Sequence, residues 1–590
     1  RLKKRYSRFF LATLLCTPRT LCMLATLGAD GRTAGADVGG LEQNCLVDAG
    51  TPTGDAERPM VGVGIQATSG HTTFRRLRFA FGAYGPFAAM FIVFFAKDMY
   101  ILKLGADAAR VGAIATAWSL LFPLAYPVAG YLMDREPPLF ERPGWGRRAP
   151  WFLSHLIPAA VVCSLMFLPG LTKVPEPGSL VLDIWLAVCL ALSAWCLPVL
   201  FNVIESARAE IYPFKEERVV IEALTKFVGV FASATGILPQ FILWVNVTLP
   251  VRFGVSCFLL VCVLLSLEAV PVLKDAKQPR ITTKRAAFSE SLAVLKCPAM
   301  LHATLLRFWH SAADTVCLNV SIYYLTFVDG FDSVERAQWM FICGSFVGIM
   351  ELLILTPFCG YVWGGGLASK PPSWCPLLQR LARSMQGACC ALHVLGAVLP
   401  PLCLRALPGL DVPRPWEWVA YTLAVRFCYS PQAFFRTSSF CWAVDDDCHR
   451  GQGLRREAVH AGVAKLFEDE GRALAFAVFL GLSWAGLRTQ NCELACEGSE
   501  ERDSCVRDCD RQDISSQPGA VPDYINAVLT FVVPVFGLIC AFHTWRFPIH
   551  GKTLEELQKR QAIVFRAVKS ETVQPVAVQP TVLGSRSPSK

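Results

Sequence analysis

Pro127-Val128-Ala129-Gly130-Tyr131-Leu132 closes one long apolar segment of this chain, and Pro357-Phe358-Cys359-Gly360-Tyr361-Val362 closes another 230 residues further on. Each is followed by a Pro-Pro pair and a tryptophan: Pro137-Pro138 with Trp145, and Pro371-Pro372 with Trp374. A repeat at that distance, in segments of like polarity, predicts two halves built on one plan and running in the same direction. Working outward, apolar stretches long enough to cross about 30 Å of hydrocarbon, roughly 20 residues each, fall near 79–101, 107–133, 150–170, 180–208, 219–243, 252–273, 300–327, 337–361, 376–404, 415–442, 457–487 and 523–546. The expectation is therefore an all-α polytopic membrane protein of about twelve helices in two six-helix halves. The segments are too long, and alternate too little, for a β-barrel.

Composition agrees. The chain is 53% hydrophobic and only 17% charged, with a mean hydropathy of +0.41, against about 25% charge in a soluble domain. Fifteen Trp, 39 Phe and 12 Tyr suit many membrane–water interfaces. The net charge of +9 sits in short loops and forms no continuous stripe, so nucleic acid is not expected as a partner. An enzyme is not expected either: there is no nucleophile elbow, HExxH or Walker loop, and Gly62-Val63-Gly64 lacks a strand–helix context.

Lysine and arginine assign the sides. Arg135, Arg142, Arg147 and Arg148 follow span 2. Lys274, Lys277, Arg280, Lys284, Arg285 and Lys296 follow span 6. Arg450, Arg455 and Arg456 precede span 11, and Arg546, Lys552, Lys559 and Arg560 follow span 12. The alternate loops hold single cations: Lys173, Arg252 and Arg336. Both termini read as cytoplasmic, in a plasma membrane or an endomembrane. The organisation is an N-terminal extension (1–74), a first half (75–273), a basic connection (274–299), a second half (300–547) with a cysteine-rich loop (488–522), and a tail (548–590).

That loop places Cys492, Cys496, Cys505 and Cys509 in a CxxxC…CxxxC pattern on the non-cytoplasmic side. On two short helices each pair shares a face, so two cross-links would staple a hairpin. Zinc is the rival reading of four cysteines. Asn246-Val247-Thr248 on the same side is a glycosylation sequon, whereas Asn319-Val320-Ser321 lies inside span 7. The first 70 residues, with a basic start and an apolar run broken at Pro18-Arg19, read as a targeting segment or as a displaced gene start. The Gly-containing stretch that follows and the tail from about 570 read as unstructured.

The run Gly130-Tyr131-Leu132-Met133-Asp134-Arg135 … Gly146-Arg147-Arg148-Ala149-Pro150-Trp151 resembles the loop signature of the major facilitator superfamily. Its Gly-Arg-Arg-x-Pro-Trp form resembles the glycoside–pentoside–hexuronide:cation symporter branch. Phe81-Gly82-Ala83-Tyr84-Gly85, Glu217-Arg218, Tyr323-Tyr324, Asp445 to Asp447 and Arg456-Glu457 are similar to other pieces of that branch, over roughly 75–547. The resemblance implies a rocking secondary transporter, carbohydrate symport, a solute site at the midplane between the halves, and a conformational latch at Gly130, Asp134, Arg135, Gly146, Arg147 and Arg148. As a latch, the Asp134 carboxylate would face a helix N-terminus and pair with arginine; as a topology signal, the motif would need only its positive charge.

The family's sugar- and sodium-binding acids in spans 1, 2 and 4 fall here on Phe87, Phe122, Tyr126 and Phe201, and its span 11 lysine falls on Asp469, inside Glu468-Asp469-Glu470. Sodium needs oxygen ligands, so neither sodium nor a galactoside suits these positions, and a proton is the expected coupling ion. The family's basic position in span 5 persists as Lys226. Charge appears instead in the second half. Span 7 carries Arg307, His310 and Asp314 on one helical face, read either as a proton and substrate site or as an ion-pair stack. Span 10 offers Arg426, Tyr429, Gln432 and Arg436; span 11 adds His460 and Lys465; Glu205 and Glu351 read as lone membrane carboxylates. Each such charge costs about 2.5–3.5 kcal/mol on insertion scales. With Arg307, Arg426 and Lys226 holding an anion, the expectation is a proton-coupled transporter of a small organic solute, acting as a monomer in the bilayer with no cofactor or metal. A transport-inactive scaffold or sensor is the alternative.

Overall fold

The computed structural model describes residues 71–102, 104, 106–135, 144–171, 179–245, 248–275, 292–331, 333–364, 384–406, 414–450, 456–487, 496 and 501–561. The expectations for residues 1–70, for the connection at 276–291, for the tail beyond 561, for Cys492 and for Asn246-Val247 lie outside them. Hydrocarbon offers the backbone no hydrogen bonds, so each crossing must satisfy its own, and among the described residues helix falls within each of the twelve expected spans. The first half holds α1 (Thr73–Phe81), α2 (Tyr84–Leu102), α3 (Ala108–Arg135), α4 (Ala149–Leu165), α5 (Leu180–Ile211), α6 (Lys215–Val245) and α7 (Leu249–Leu264) with its short extension α8 (Val270–Leu273). The second holds α9 (Pro298–Tyr323), α10 (Ser333–Ile349), α11 (Thr356–Trp363), α12 (Met385–Ala406), α13 (Arg414–Tyr429), α14 (Gln432–Arg450), α15 (Glu457–Trp484), α16 (Arg502–Ser515), α17 (Ala520–Ala527) and α18 (Val533–Arg546).

Span 10 departs from its expected form. In place of one helix over 415–442, α13 and α14 meet at Ser430-Pro431. Pro431 has no N–H to donate to the Phe427 carbonyl four residues earlier, and past the break the Ser430 carbonyl accepts from the Ala433 N–H at 3.3 Å. Three second-half spans also carry a π-turn: Tyr324–Val328, Met350–Leu355 and Val528–Val532. The middle one contains Glu351.

By length and composition eight described helices are apolar enough to cross a membrane. The remaining spans are α4, at 17 residues, and the second-half segments α9, α13 with α14, and α15, which carry the buried charge. Lipid gives no hydrophobic drive to helix association, so close packing of small residues must supply it. It does so on α15. A Cβ on Gly130 would collide with the carbonyl of Ala458, one on Gly462 with the carbonyl of Tyr126, and one on Gly471 with the carbonyl of Phe308. Thus α15 lies wedged between α3 of the first half and α9 of its own.

The apolar core follows the same division. One cluster fills the first half and includes Ala458 of α15. A second, at the end of the second half that carries Asp445 and Glu457, takes in Ala209, Val219 and Ala223 from the first half. The third, at the opposite end, contains second-half residues alone. The halves are thus sealed at one end, called here the latch side. In the cysteine-rich loop Cys496 is bonded to Cys505 and Cys509 is also in a disulfide.

The glycine contacts give a direct check. Gly130→Ala should lower the melting temperature of the purified protein by several degrees, because backbone would have to yield. Gly112→Ala, where nothing lies within 4 Å, should leave it unchanged or raise it.

Candidate functional site

The latch side is built from one helix end upward. The first N–H groups of α15 have no partner within their own helix. Asp134, the penultimate residue of α3, supplies one: its Oδ2 accepts from the N–H groups of Ala458 and Val459, both at 3.0 Å. Its Oδ1 accepts from Arg148 Nη2 at 2.9 Å, with Arg147 Nη1 at 3.7 Å. Gly144 and Gly146 take positive φ, +78° and +64°, and that turn carries both arginines back beneath α3. There they bind Glu210 at the end of α5, Arg147 at 3.0 Å and Arg148 at 3.2 Å, and also Glu457, the first residue of α15. Asp134, Arg147 and Arg148 are all buried. Burial would lower the Arg147 pKa, but Glu457, Glu210 and Asp134 together raise it. The Arg135 side chain lies outside the description.

The repeated motif makes a related contact between the halves. Gly360 of α11 faces Ala223 of α6, and Gly364 faces Val220. Gly364 is four residues beyond Gly360, as Asp134 is beyond Gly130, so this side lacks the capping carboxylate. The charge is supplied instead by a buried pair between the halves, Arg218 Nη1 to Asp445 Oδ2 at 2.7 Å, with Arg218 Nε donating to the Tyr212 carbonyl at 2.6 Å.

Deeper, the charges form layers. Arg208 of α5 binds Glu222 of α6 at 2.8 Å. Arg307 of α9 lies 3.6 Å from Glu205 of α5 and 3.5 Å from Glu468 of α15, over the ring of Phe440. Glu468 also binds Lys465 at 3.0 Å and Arg472 at 3.2 Å, and Lys465 sits over the Phe201 ring. Asp469 binds Arg472 at 2.6 Å. Asp314 binds Arg426 at 2.6 Å. Lys226 donates to the Ser430 carbonyl, beside the break at Pro431, at 2.7 Å, and reaches the Ser430 hydroxyl at 3.3 Å. Glu351, on its π-turn, acts electrostatically on Lys226 and Arg426. The first-half face is aromatic: Phe87 meets Phe201 edge-on at 5.4 Å, and Phe122 meets Tyr126 at 5.3 Å.

Several sequence readings change in the light of these contacts. Glu205 is not a lone carboxylate, since Arg307 reaches it from the other half and Arg208 from its own helix. Glu351 is not isolated either. The face of Arg307, His310 and Asp314 does not act as one unit: Arg307 spans the seam, Asp314 pairs with Arg426, and His310 turns into the second half against His393 and Tyr429. Glu210, Glu222, Arg208 and Arg472 were not singled out. Their i,i+3 and i,i+4 spacings, Glu205 with Arg208 and Glu468 with Arg472, were the available signal.

On the latch side, removing one member of a buried pair leaves the other charge uncompensated, at about 3–5 kcal/mol. Arg218→Asp should therefore destabilise the fold strongly, and Arg218→Asp with Asp445→Arg should recover most of the loss in a thermal unfolding assay. Asp447 gives a pH check. Burial raises its pKa, but hydrogen bonds and charge from His460 and Arg456 outweigh this and hold it down at about 2. Its contribution is present above the ordinary aspartate pKa of about 4 and is lost as pH falls through about 2. Asp447→Asn should flatten the acid limb of the melting-temperature profile over that window.

The family described as MFS/sugar transport protein matches the chain over residues 78–551. Among solved structures, the chain is similar to a bacterial homologue of the iron transporter ferroportin in an outward-facing state, at 14% identity and a TM-score of 0.51, covering 80% of this chain and 99% of that one. It is also similar to the proton:xylose symporter XylE, at 12% identity and a TM-score of 0.49, covering 83% and 98%. No curated protein matches it in sequence. Twelve helical spans in two latched halves, with a charged seam between them and a family match over most of the chain, lead to one conclusion: this protein belongs to the MFS/sugar transport family and is a multi-pass membrane transporter of small solutes.

Proposed function

We propose that the solute is a small organic anion with an aromatic or apolar body, moved by alternating access and driven by a proton gradient. The carrying observation is Arg436. It is half-buried on α14, its guanidinium makes no ion pair or hydrogen bond among the described residues, and it acts electrostatically on His310, Lys226 and Glu468. Lys226 supports the reading, being held by a neutral carbonyl and paired with neither Glu222 nor Glu351. Two cations without a carboxylate partner, one of them, Lys226, lying over the Phe434 ring at 4.9 Å, form an anion-binding arrangement with an aromatic wall. The missing first-half carboxylates weigh against a sugar, whose hydroxyls need acceptors, and against sodium.

Labelled phenylpyruvate, benzoate and lactate taken up by proteoliposomes test the reading. An inward proton gradient should drive uptake of at least one of the aromatic acids, without sodium. Arg436→Gln should cut the rate at least about tenfold, the loss expected from one charged hydrogen bond, while the amount of folded protein stays the same. Uptake unaffected by Arg436→Gln, or xylose uptake in place of carboxylate uptake, would sink it.

A further inference from the structure

Glu205 and Glu468 each lie within ion-pair distance of at least two cations, drawn from more than one helix. Asp469 differs. Among the described residues its one ion-pair partner is Arg472, three residues along the same helix and 37% exposed. Its Oδ2 is buried and makes no hydrogen bond. Across the seam, the Tyr126 side chain of α3 is directed at Asp469. Tyr126 is fixed from both sides: Asn202 donates to its carbonyl at 2.7 Å, and Gly462 presses against its backbone. Asp469 therefore sits where the halves meet, with one oxygen held by Arg472 and the carboxylate opposite a hydroxyl that belongs to the other half.

Resting on the anion-transport reading, we propose that Asp469 is the proton-carrying residue that couples transport to the gradient. Ionised, it neutralises Arg472 and adds a negative charge beside the anion site. Protonated, its new O–H can donate to the Tyr126 hydroxyl oxygen, turning that hydroxyl from donor to acceptor, and its hold on Arg472 weakens, leaving that guanidinium to Glu468. The step adds one proton to a carboxylate and breaks no covalent bond. Anion and proton then favour each other's binding, and by linkage the effect is reciprocal. A monoanion entering with one proton leaves the charge of the site unchanged. Rocking separates α3 from α15, removes Tyr126, and returns Asp469 to an environment where it releases the proton.

The other charged groups leave Asp469 as the seam's changeable member. On its own helix it faces Arg472, Glu468, Lys465 and Glu470. From α3 it faces Tyr126. Arg307 of α9, Arg436 of α14 and Glu205 of α5 act on Glu468 or Lys465, and Asp314 acts on Arg472. Glu468 is bound by Arg307, Lys465 and Arg472 together.

Two readouts on the full chain in proteoliposomes test the assignment. The first needs no solute: an infrared difference spectrum between about pH 8 and about pH 5 should show the carbonyl stretch of a buried protonated carboxyl group. Asp469→Asn should remove that band, and Glu470→Gln, an exposed neighbour, should keep it. The second is transport. Asp469→Asn, which imitates the protonated state, should still exchange phenylpyruvate for phenylpyruvate across the membrane but lose accumulation against a gradient, at least tenfold. A wild type without the band, a band that persists in Asp469→Asn, or a variant that still accumulates phenylpyruvate overturns the assignment. A wild type that shows the Asp469 band yet carries none of the three carboxylates leaves the proton site standing and overturns the anion reading alone.

Discussion

The carboxylate of Asp134 on the open N-terminus of α15 is the contact on which the rest of the arrangement depends. In lipid two helical halves gain nothing by hiding apolar surface from each other, so their closure must come from close packing and from polar groups that have no better partner. Asp134 meets both needs. Gly130, one turn earlier, lets α3 approach the backbone of α15, and the carboxylate then accepts two N–H groups that would otherwise be orphaned. Arg147 and Arg148 balance its charge and tie in Glu210 and Glu457. Loss of the one carboxyl would leave the end of α15 in want of a partner and two buried guanidinium groups sharing Glu210 and Glu457 alone.

That closure fixes what lies deeper. With α15 pressed on α3 at one end and on α9 along its length, its acidic triplet is delivered to the seam, where Glu468 meets Arg307 and Arg307 meets Glu205 of the opposite half. Buried ion pairs of this kind are poor sources of net stability. In the proposed alternating-access cycle their value lies in being made in one arrangement and exchanged in another. Among the described residues most of the charge at the seam is paired internally, and the exceptions, Arg436 and Lys226, are the groups proposed to hold a solute.

Much of this was legible in the chain. Span positions follow from hydropathy because hydrocarbon admits little else, and the repeated Pro-x-x-Gly-Tyr motif marks the two glycines that meet the opposite half, Gly130 and Gly360. Helical spacing also reveals which charges share a face. It cannot reveal which face meets which neighbour. Arg307 and Asp314 share a stripe on α9, yet the α9 stripe passes two different neighbours, so one residue serves the seam and the other binds Arg426 of its own half. Glu205 has a partner readable in sequence, Arg208 three residues on, but its second, Arg307, lies on another half and is not. The break at Ser430-Pro431 was readable from proline chemistry; that the Ser430 carbonyl would receive Lys226 was not, because that contact depends on how the halves are docked.

The most direct test of the latch is a distance. Spin labels at Glu216 on the first half and Glu555 beyond α18, both exposed on the latch side, report the separation of the halves by pulsed electron resonance in nanodiscs. The account predicts a single short distance in the otherwise native protein, and a second, longer population when Asp134 is replaced by Asn. An unchanged distance distribution in the Asp134→Asn protein would contradict it.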